Sequence, residues 1–261
     1  MSRQKLGQHF LSSLTWRQRI AQTLPAAPDS TWIEIGAGHG EMTDLLAARA
    51  RRIIAIETDH ALASALRTRF AEQPNIEIVE SDILSANLSQ LASERFHAYG
   101  NLPYYITSPI LAHLFRFAAQ IESIHVVIQL EVAQRIAAAP GHREYAYLSA
   151  LCQYFTRPEI VLRIPPGAFC PPPKVHSALV TMHLPGERAR LAIENDSAFL
   201  EFLQHSFAQK RKTLRNNLKS FFAGEKIAAA LAACKLTSKS RAEELSLAQF
   251  AQLFHALSPH H

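Results

Sequence analysis

The segment Gly100-Asn101-Leu102-Pro103-Tyr104 says most about chemistry, through both its residue types and their order. The side-chain amide oxygen of Asn101 and the backbone carbonyl of Leu102 form a pair of acceptors one residue apart. Such a pair can take both hydrogens of an aromatic amine and turn its nitrogen toward an electrophile, although the lone pair is otherwise delocalised into the ring. Pro103 stiffens the turn and contributes no N–H, so carbonyls are the polar groups it presents. Tyr104 adds a flat face on which an extruded base can stack. Transfer to a nitrogen held in this way would depend on positioning more than on acid–base chemistry. Taken alone, the segment is also compatible with an ordinary Asn-Pro-type turn.

A second cluster fits a nucleoside ligand. Gly36-Ala37-Gly38-His39-Gly40 is a tight glycine turn that lets backbone pass close to a ligand. The dinucleotide fingerprint fails because Glu41 stands where its third glycine belongs, which tells against a pyrophosphate-bearing cofactor. Glu57 can accept hydrogen bonds from both ribose hydroxyls and would repel a 2′-phosphate. In Ser81-Asp82-Ile83 the carboxylate can accept from an adenine amino group while Ile83 flanks the ring. Each acid singly reads equally well as a strand-end loop residue; what favours the site is their recurrence at three successive strand ends. Phe169, on the stiff loop Ala168-Phe169-Cys170-Pro171-Pro172-Pro173-Lys174-Val175, is expected to wall a base pocket with Lys174 near phosphate, or else simply to cap the core.

These residues need a scaffold that brings strand ends together. Short apolar runs at 32–35, 52–56, 76–79, 98–99 and 123–130 alternate with helical periodicity at 41–52, 60–70 and 110–119. Unbroken apolar strands alternating with helices are the pattern of a parallel sheet covered on both faces. Two more strands, 159–164 and 177–184, have no helix between them and are expected to finish the sheet as an antiparallel pair. After Pro185-Gly186 only helical periodicity remains. The expected organisation is α/β, with residues 1–186 as one domain and 187–261 as a small all-helical C-terminal domain.

Charge follows the same division. Of the 27 Lys+Arg and 22 Asp+Glu, residues 1–186 hold 16 against 15 and residues 187–261 hold 11 against 7. A near-neutral part joined to a basic one suggests a polyanionic partner handled by the tail. Lys210, Arg211, Lys212, Arg215 and Lys219 lie in a stretch free of acids between Glu201 and Glu225. Lys212, Arg215 and Lys219 recur at i, i+3 and i+7, so a cationic helix face that neutralises phosphates is expected. The three cysteines, Cys152, Cys170 and Cys234, have neither zinc-ligand nor disulfide-framework spacing. No apolar run is long enough to cross a membrane and no targeting signal is read at the N-terminus. The expectation is therefore a soluble, cytoplasmic, monomeric protein with no metal and no membrane partner.

The glycine turn, the acidic end of the second strand and the aspartate after the third resemble the class I methyltransferase arrangement for S-adenosyl-L-methionine, a Rossmann-like, mostly parallel seven-stranded sheet. With Gly7-Gln8-His9-Phe10-Leu11, the Asn-Leu-Pro-Tyr segment and the proline-rich loop, the chain resembles the ribosomal RNA adenine N6-dimethyltransferase family, in its bacterial small-subunit branch. The resemblance implies transfer of two methyls to each of two adjacent adenosines in a hairpin loop near the 3′ end of 16S rRNA in the small (30S) subunit. It also implies that His9 and Leu11 line the cofactor site with Gly36, Gly38, Glu57, Asp82, Ile83 and Asn101. His9 stands where Asn is frequent, and Tyr105 where Asn or His is more usual. Three other readings remain at this stage: a 23S rRNA adenine methyltransferase, a ribosome-assembly factor that binds nucleic acid without needing catalysis, and a DNA adenine methyltransferase.

Overall fold

The computed structural model describes residues 9–257; Gly7 and Gln8 of the N-terminal motif lie outside them. The strands are β1 (Phe10–Leu11), β2 (Ala27–Ile35), β3 (Ala50–Glu57), β4 (Ile76–Glu80), β5 (Phe96–Asn101), β6 (Ile121–Gln129), β7 (Arg157–Ile164), β8 (Phe169–Cys170) and β9 (Ser177–His183). The helices are α1 (Leu14–Thr23), α2 (Glu41–Ala47), α3 (His60–Arg69), α4 (Leu88–Leu91), α5 (Thr107–Phe115), α6 (Leu130–Ala137), α7 (Tyr147–Phe155), α8 (Asp196–Ser206), α9 (Leu214–Leu218), α10 (Gly224–Ala233) and α11 (Leu247–Leu257).

Seven strands form one sheet in the order β4-β3-β2-β5-β6-β9-β7. The first five are parallel and β9 runs antiparallel to β6, so the expected Rossmann-like α/β fold of the class I methyltransferases is present. The central strands are apolar because helices cover both of their faces: Ile33, Ile53, Ile54, Ala98, Val126 and Val127 are fully buried. Strand order reverses between β2 and β5, where a doubly wound sheet opens a crevice at its carboxyl ends. The glycine turn after β2 and the Asn101 segment after β5 meet at that point.

The sequence reading placed helix 41–52 and strand 52–56 end to end. In the structure α2 stops at Ala47 and β3 begins at Ala50. Arg49, on the tight connection between them, donates through its guanidinium to the carbonyls of Ala21 and Leu24.

A separate two-stranded ribbon pairs β1 with β8, Phe10 opposite Cys170 and Leu11 opposite Phe169. It ties the N-terminal segment to the proline-rich loop. Ser12 N–H and Ser13 N–H both donate to Ala168 O, at 3.0 and 3.1 Å, and continue that attachment beyond the ribbon.

The chain divides into two compact units, residues 1–133 with 158–184, and residues 134–157 with 185–261. The second contains α7 as well as the C-terminal helices. Its interior is aromatic: Tyr154 packs on Phe199 at 5.1 Å between ring centroids, and Phe202 on Phe250 at 6.3 Å. Tyr154 also donates its hydroxyl to Asp196 Oδ1 at 2.6 Å, which explains why residues 134–157 group with α8 rather than with the sheet. Among the described residues no helix is long and apolar enough to cross a membrane.

Candidate active site

A cavity partly open to solvent lies at the carboxyl ends of β2, β3, β4 and β5, the place where open α/β sheets bind ligands. Gly36, Gly38, Glu57, Asp82, Ile83, Asn101, Leu102 and Tyr104, all singled out in the sequence, line it together with His9. Ile35, Ile56, Ile106 and Ile110 add an apolar surface.

The glycine turn is built by backbone geometry that side chains disfavour. Gly36, Gly38 and Gly40 have φ of 72°, 59° and 84°. Gly36 N–H donates to Ile56 O at 2.8 Å, and Gly40 N–H closes back on Ala37 O at 2.9 Å. A Cβ at Gly36 would meet nothing within 4 Å, so this face is an open cradle. A Cβ at Gly38 would come within 3.2 Å of the Phe10 ring, which lies against the turn and 4.9 Å from the His39 ring.

The electrostatics suit a cation better than a phosphate. Two carboxylates, Glu57 and Asp82, face the cavity, and among the described residues neither Lys nor Arg lines it. Glu57 is buried at the end of β3 and accepts from Gly38 N–H and Asp59 N–H, both at 2.9 Å, one on each oxygen. Each oxygen keeps a further acceptor position for a ribose hydroxyl. Asp82 is exposed and uses Oδ1 to accept from Leu84 N–H at 2.9 Å, which leaves Oδ2 for an amino donor. A nucleoside with a positively charged sulfonium therefore fits the residues present. When bound there, it would supply an electrophilic methyl group.

Glu34, two residues before the glycine turn, is one polar group that sequence reasoning missed. It is fully enclosed on β2 and accepts from the Thr43 hydroxyl of α2 at 2.6 Å, so it anchors the helix that follows the turn. Burial pushes its carboxyl up to about 8. The Thr43 hydrogen bond opposes that shift, and repulsion from Glu41, Glu57 and Asp44 adds to it.

Asn101 has one end of its amide committed: Nδ2 donates to His9 O at 2.9 Å. The oxygen remains as the acceptor. Leu102 N–H is fixed on Val127 O at 3.0 Å, which sets the plane of the following peptides. The Tyr104 hydroxyl bonds Ser177 Oγ at 2.8 Å and its ring lies 5.6 Å from that of His9, tilted by 33°. Burial raises the Tyr104 phenol and the Ser177 bond partly offsets it. His9 itself is held through Nδ1 on Pro171 O at 2.7 Å.

Three expectations change. Phe169 does not line the cavity; it is 4% exposed and belongs to the core beside Leu11, its ribbon partner. Leu11 is likewise turned into the core, and Phe10, not singled out from the sequence, takes its place at the cavity. Successive strand side chains face opposite ways, and the ribbon's pairing decides which side is inward. The third change concerns the basic stretch, where α9 spans only Leu214–Leu218. Thr213 caps it, so Lys212 precedes the helix and Lys219 ends it, and the expected cationic helix face is replaced by a basic turn leading into a short helix. Asn217 Nδ2 donates to Ser206 O at 2.7 Å and to Gln209 O at 3.3 Å, fixing the start of that turn. Lys210, Arg211, Lys212, Arg215 and Lys219 are exposed, as is Lys174 on the proline-rich loop, and Lys210 also donates to the carbonyl of Arg143.

The chain matches the family described as "Ribosomal RNA adenine dimethylase" over residues 1–258. It is similar to the ribosomal RNA small subunit methyltransferase A of Acidobacterium capsulatum, at 44% identity covering 97% of this chain and 90% of that protein. The protein of the same name from Koribacter versatilis is 42% identical, over 97% of this chain and 93% of its own. Among solved structures, the 23S rRNA methyltransferase ErmE superposes with a TM-score of 0.71 at 28% identity, covering 95% of this chain and 99% of that one. A dimethyladenosine transferase from Plasmodium falciparum gives 0.80 at 24% identity over 94% and 96%, a likeness of fold.

Proposed function

Because the chain belongs to the ribosomal RNA adenine dimethylase family, we propose that this methyltransferase uses S-adenosyl-L-methionine to dimethylate the N6 amines of two adjacent adenosines in a hairpin loop near the 3′ end of 16S rRNA. The observation that carries the reading is the Asn101 amide, whose nitrogen is spent on the His9 carbonyl and whose oxygen is thereby left to accept. Asn101 Oδ1 and Leu102 O take the two N6 hydrogens of the target adenine and aim its lone pair at the donor methyl. Tyr104, steadied by Ser177, stacks on the extruded ring. The donor would supply its methyl to N6, whose surplus proton passes to solvent. Glu57 would hold ribose and Asp82 the adenine of the methyl donor with Ile83 against its ring, and Phe10 and His9 line the same cavity.

The substrate is read as the small (30S) subunit, with Lys174, Arg211, Lys212, Arg215 and Lys219 on phosphates and Lys210 contributing less. The protein is taken to act as a cytoplasmic monomer. The 44% identity to a small-subunit enzyme favours this over the 23S reading, for which the corresponding figure is 28%. The test is incubation with labelled methyl donor and small subunits lacking the modification, followed by nucleoside analysis, with large subunits and Asn101→Ala as controls. N6,N6-dimethyladenosine appearing only with small subunits, and lost in Asn101→Ala, is the expected result. Label confined to large subunits would establish the 23S alternative. Binding without any label would establish the assembly-factor reading.

A further inference from the structure

The helical unit carries an aromatic surface that the proposed function does not use. Phe221 is 50% exposed, which is unusual for a phenyl ring in a soluble helical bundle. One of its faces stacks on the His205 imidazole, with ring centroids 3.5 Å apart and planes within 12°. The imidazole backs the phenyl ring and holds it flat. The ring sits in the turn that ends α9, where Phe221 N–H and Phe222 N–H both donate to Leu218 O, at 2.9 and 3.1 Å. Lys219 lies in the same turn and Arg215 one helical turn earlier, both exposed. Lys226 follows on α10. The acids nearby are Glu201, whose carboxylate is 4.0 Å from His205 Nε2, and Glu225, exposed at the start of α10.

An ordered, half-exposed ring with exposed cations two and six positions before it and five after it in the chain has the chemistry that recognises single-stranded nucleic acid. A base stacks on the ring and its flanking phosphates meet the ammonium and guanidinium groups. We propose that Phe221, supported by His205, is a stacking site for an unpaired RNA base, with Lys219 and Arg215 on the adjoining phosphates. The site belongs to the helical unit and is distinct from the methyl-transfer cavity. The proposal rests on the reading that the chain acts on RNA.

The test uses the full chain carrying Phe221→Trp, with the signal of the native Trp16 and Trp32 subtracted using the unsubstituted protein. Oligoadenylate is expected to quench the new fluorophore, and an abasic ribose-phosphate oligomer of equal length is not. In parallel, Phe221→Ala is expected to weaken binding to unmodified small subunits by about 5- to 100-fold with the salt slope unchanged. Lys219→Ala is expected to lower that slope by about 1. Equal quenching by both oligomers, no quenching by either, or unchanged affinity in a folded Phe221→Ala protein would overturn the site. Base-dependent quenching together with no methyl transfer to any RNA would instead refute the function proposed above and leave this site standing.

Discussion

Glu34 gives the most exacting test of the reasoning about this site. Its carboxyl is enclosed on β2 with the Thr43 hydroxyl as its hydrogen-bond donor, and burial moves its protonation from the ordinary 4.5 to about 8. At ~1.36 kcal/mol per pH unit, keeping it ionised in the folded protein costs on the order of 5 kcal/mol. The folded state binds the proton more tightly than the unfolded chain does. Stability is therefore unaffected below pH 4.5, falls as pH rises between 4.5 and 8, and levels off above 8. Glu34→Gln keeps an acceptor for Thr43 and removes the ionisation. The variant should match the parent within about 1 kcal/mol near pH 4.5 and exceed it by several kcal/mol at pH 9. At roughly 2–4 °C per kcal/mol for a chain of this size, the gap in melting temperature at pH 9 is on the order of 10 °C. Thermal unfolding by circular dichroism at pH 5, 7 and 9 measures it. A difference between the two proteins that stays constant from pH 5 to 9 would refute the argument.

Three other outcomes follow from the same geometry. His125 is buried in a hydrogen-bonded row with Ser123 and Thr181, and burial, aided by His97 and His183, lowers its pKa to about 3. Its effect has the opposite sign, so stability falls as pH drops from 6.5 toward 3. His125→Gln should flatten that acid limb in a urea-unfolding series, and an unchanged limb contradicts the assignment. Gly40→Ala places a Cβ 2.7 Å from Leu66 and Phe70 at a φ of 84°, so it should cost about 2–4 kcal/mol, whereas Gly36→Ala meets open space and should cost only about 1–2. Gly36→Ala should nonetheless weaken binding of the methyl donor, read by calorimetry, because its methyl enters the cradle. Phe169→Ala should destabilise the protein by about 3–5 kcal/mol; a loss of turnover with unchanged stability would return Phe169 to the base pocket.

The sheet was legible because its strands are short apolar runs punctuated by glycine, proline and acids, and because period-2 and period-3.6 patterns are local properties. That Glu57 and Asp82 would meet at one cavity was legible for a related reason, since they sit where the strand pattern stops. The β1–β8 ribbon was not, because two residues carry no periodicity and their partners are remote in the chain. That omission explains why Leu11 and Phe10 exchanged roles and why Phe169 was placed in the pocket. The basic helix face failed for a local reason: Thr213 offers its side chain to the Asn216 N–H and starts the helix two residues after Lys212. Glu34 and the His97–Ser123–His125–Thr181 row were invisible because a single polar residue in an apolar strand does not reveal what lies opposite it.

The ribbon also bears on what holds the amide at the cavity. Asn101 is oriented by the His9 carbonyl, and His9 is held by Pro171, 162 positions later in the chain. The setting of that amide is therefore a property of the completed fold and not of the turn that carries it, because it passes through two attachments between segments remote in the chain.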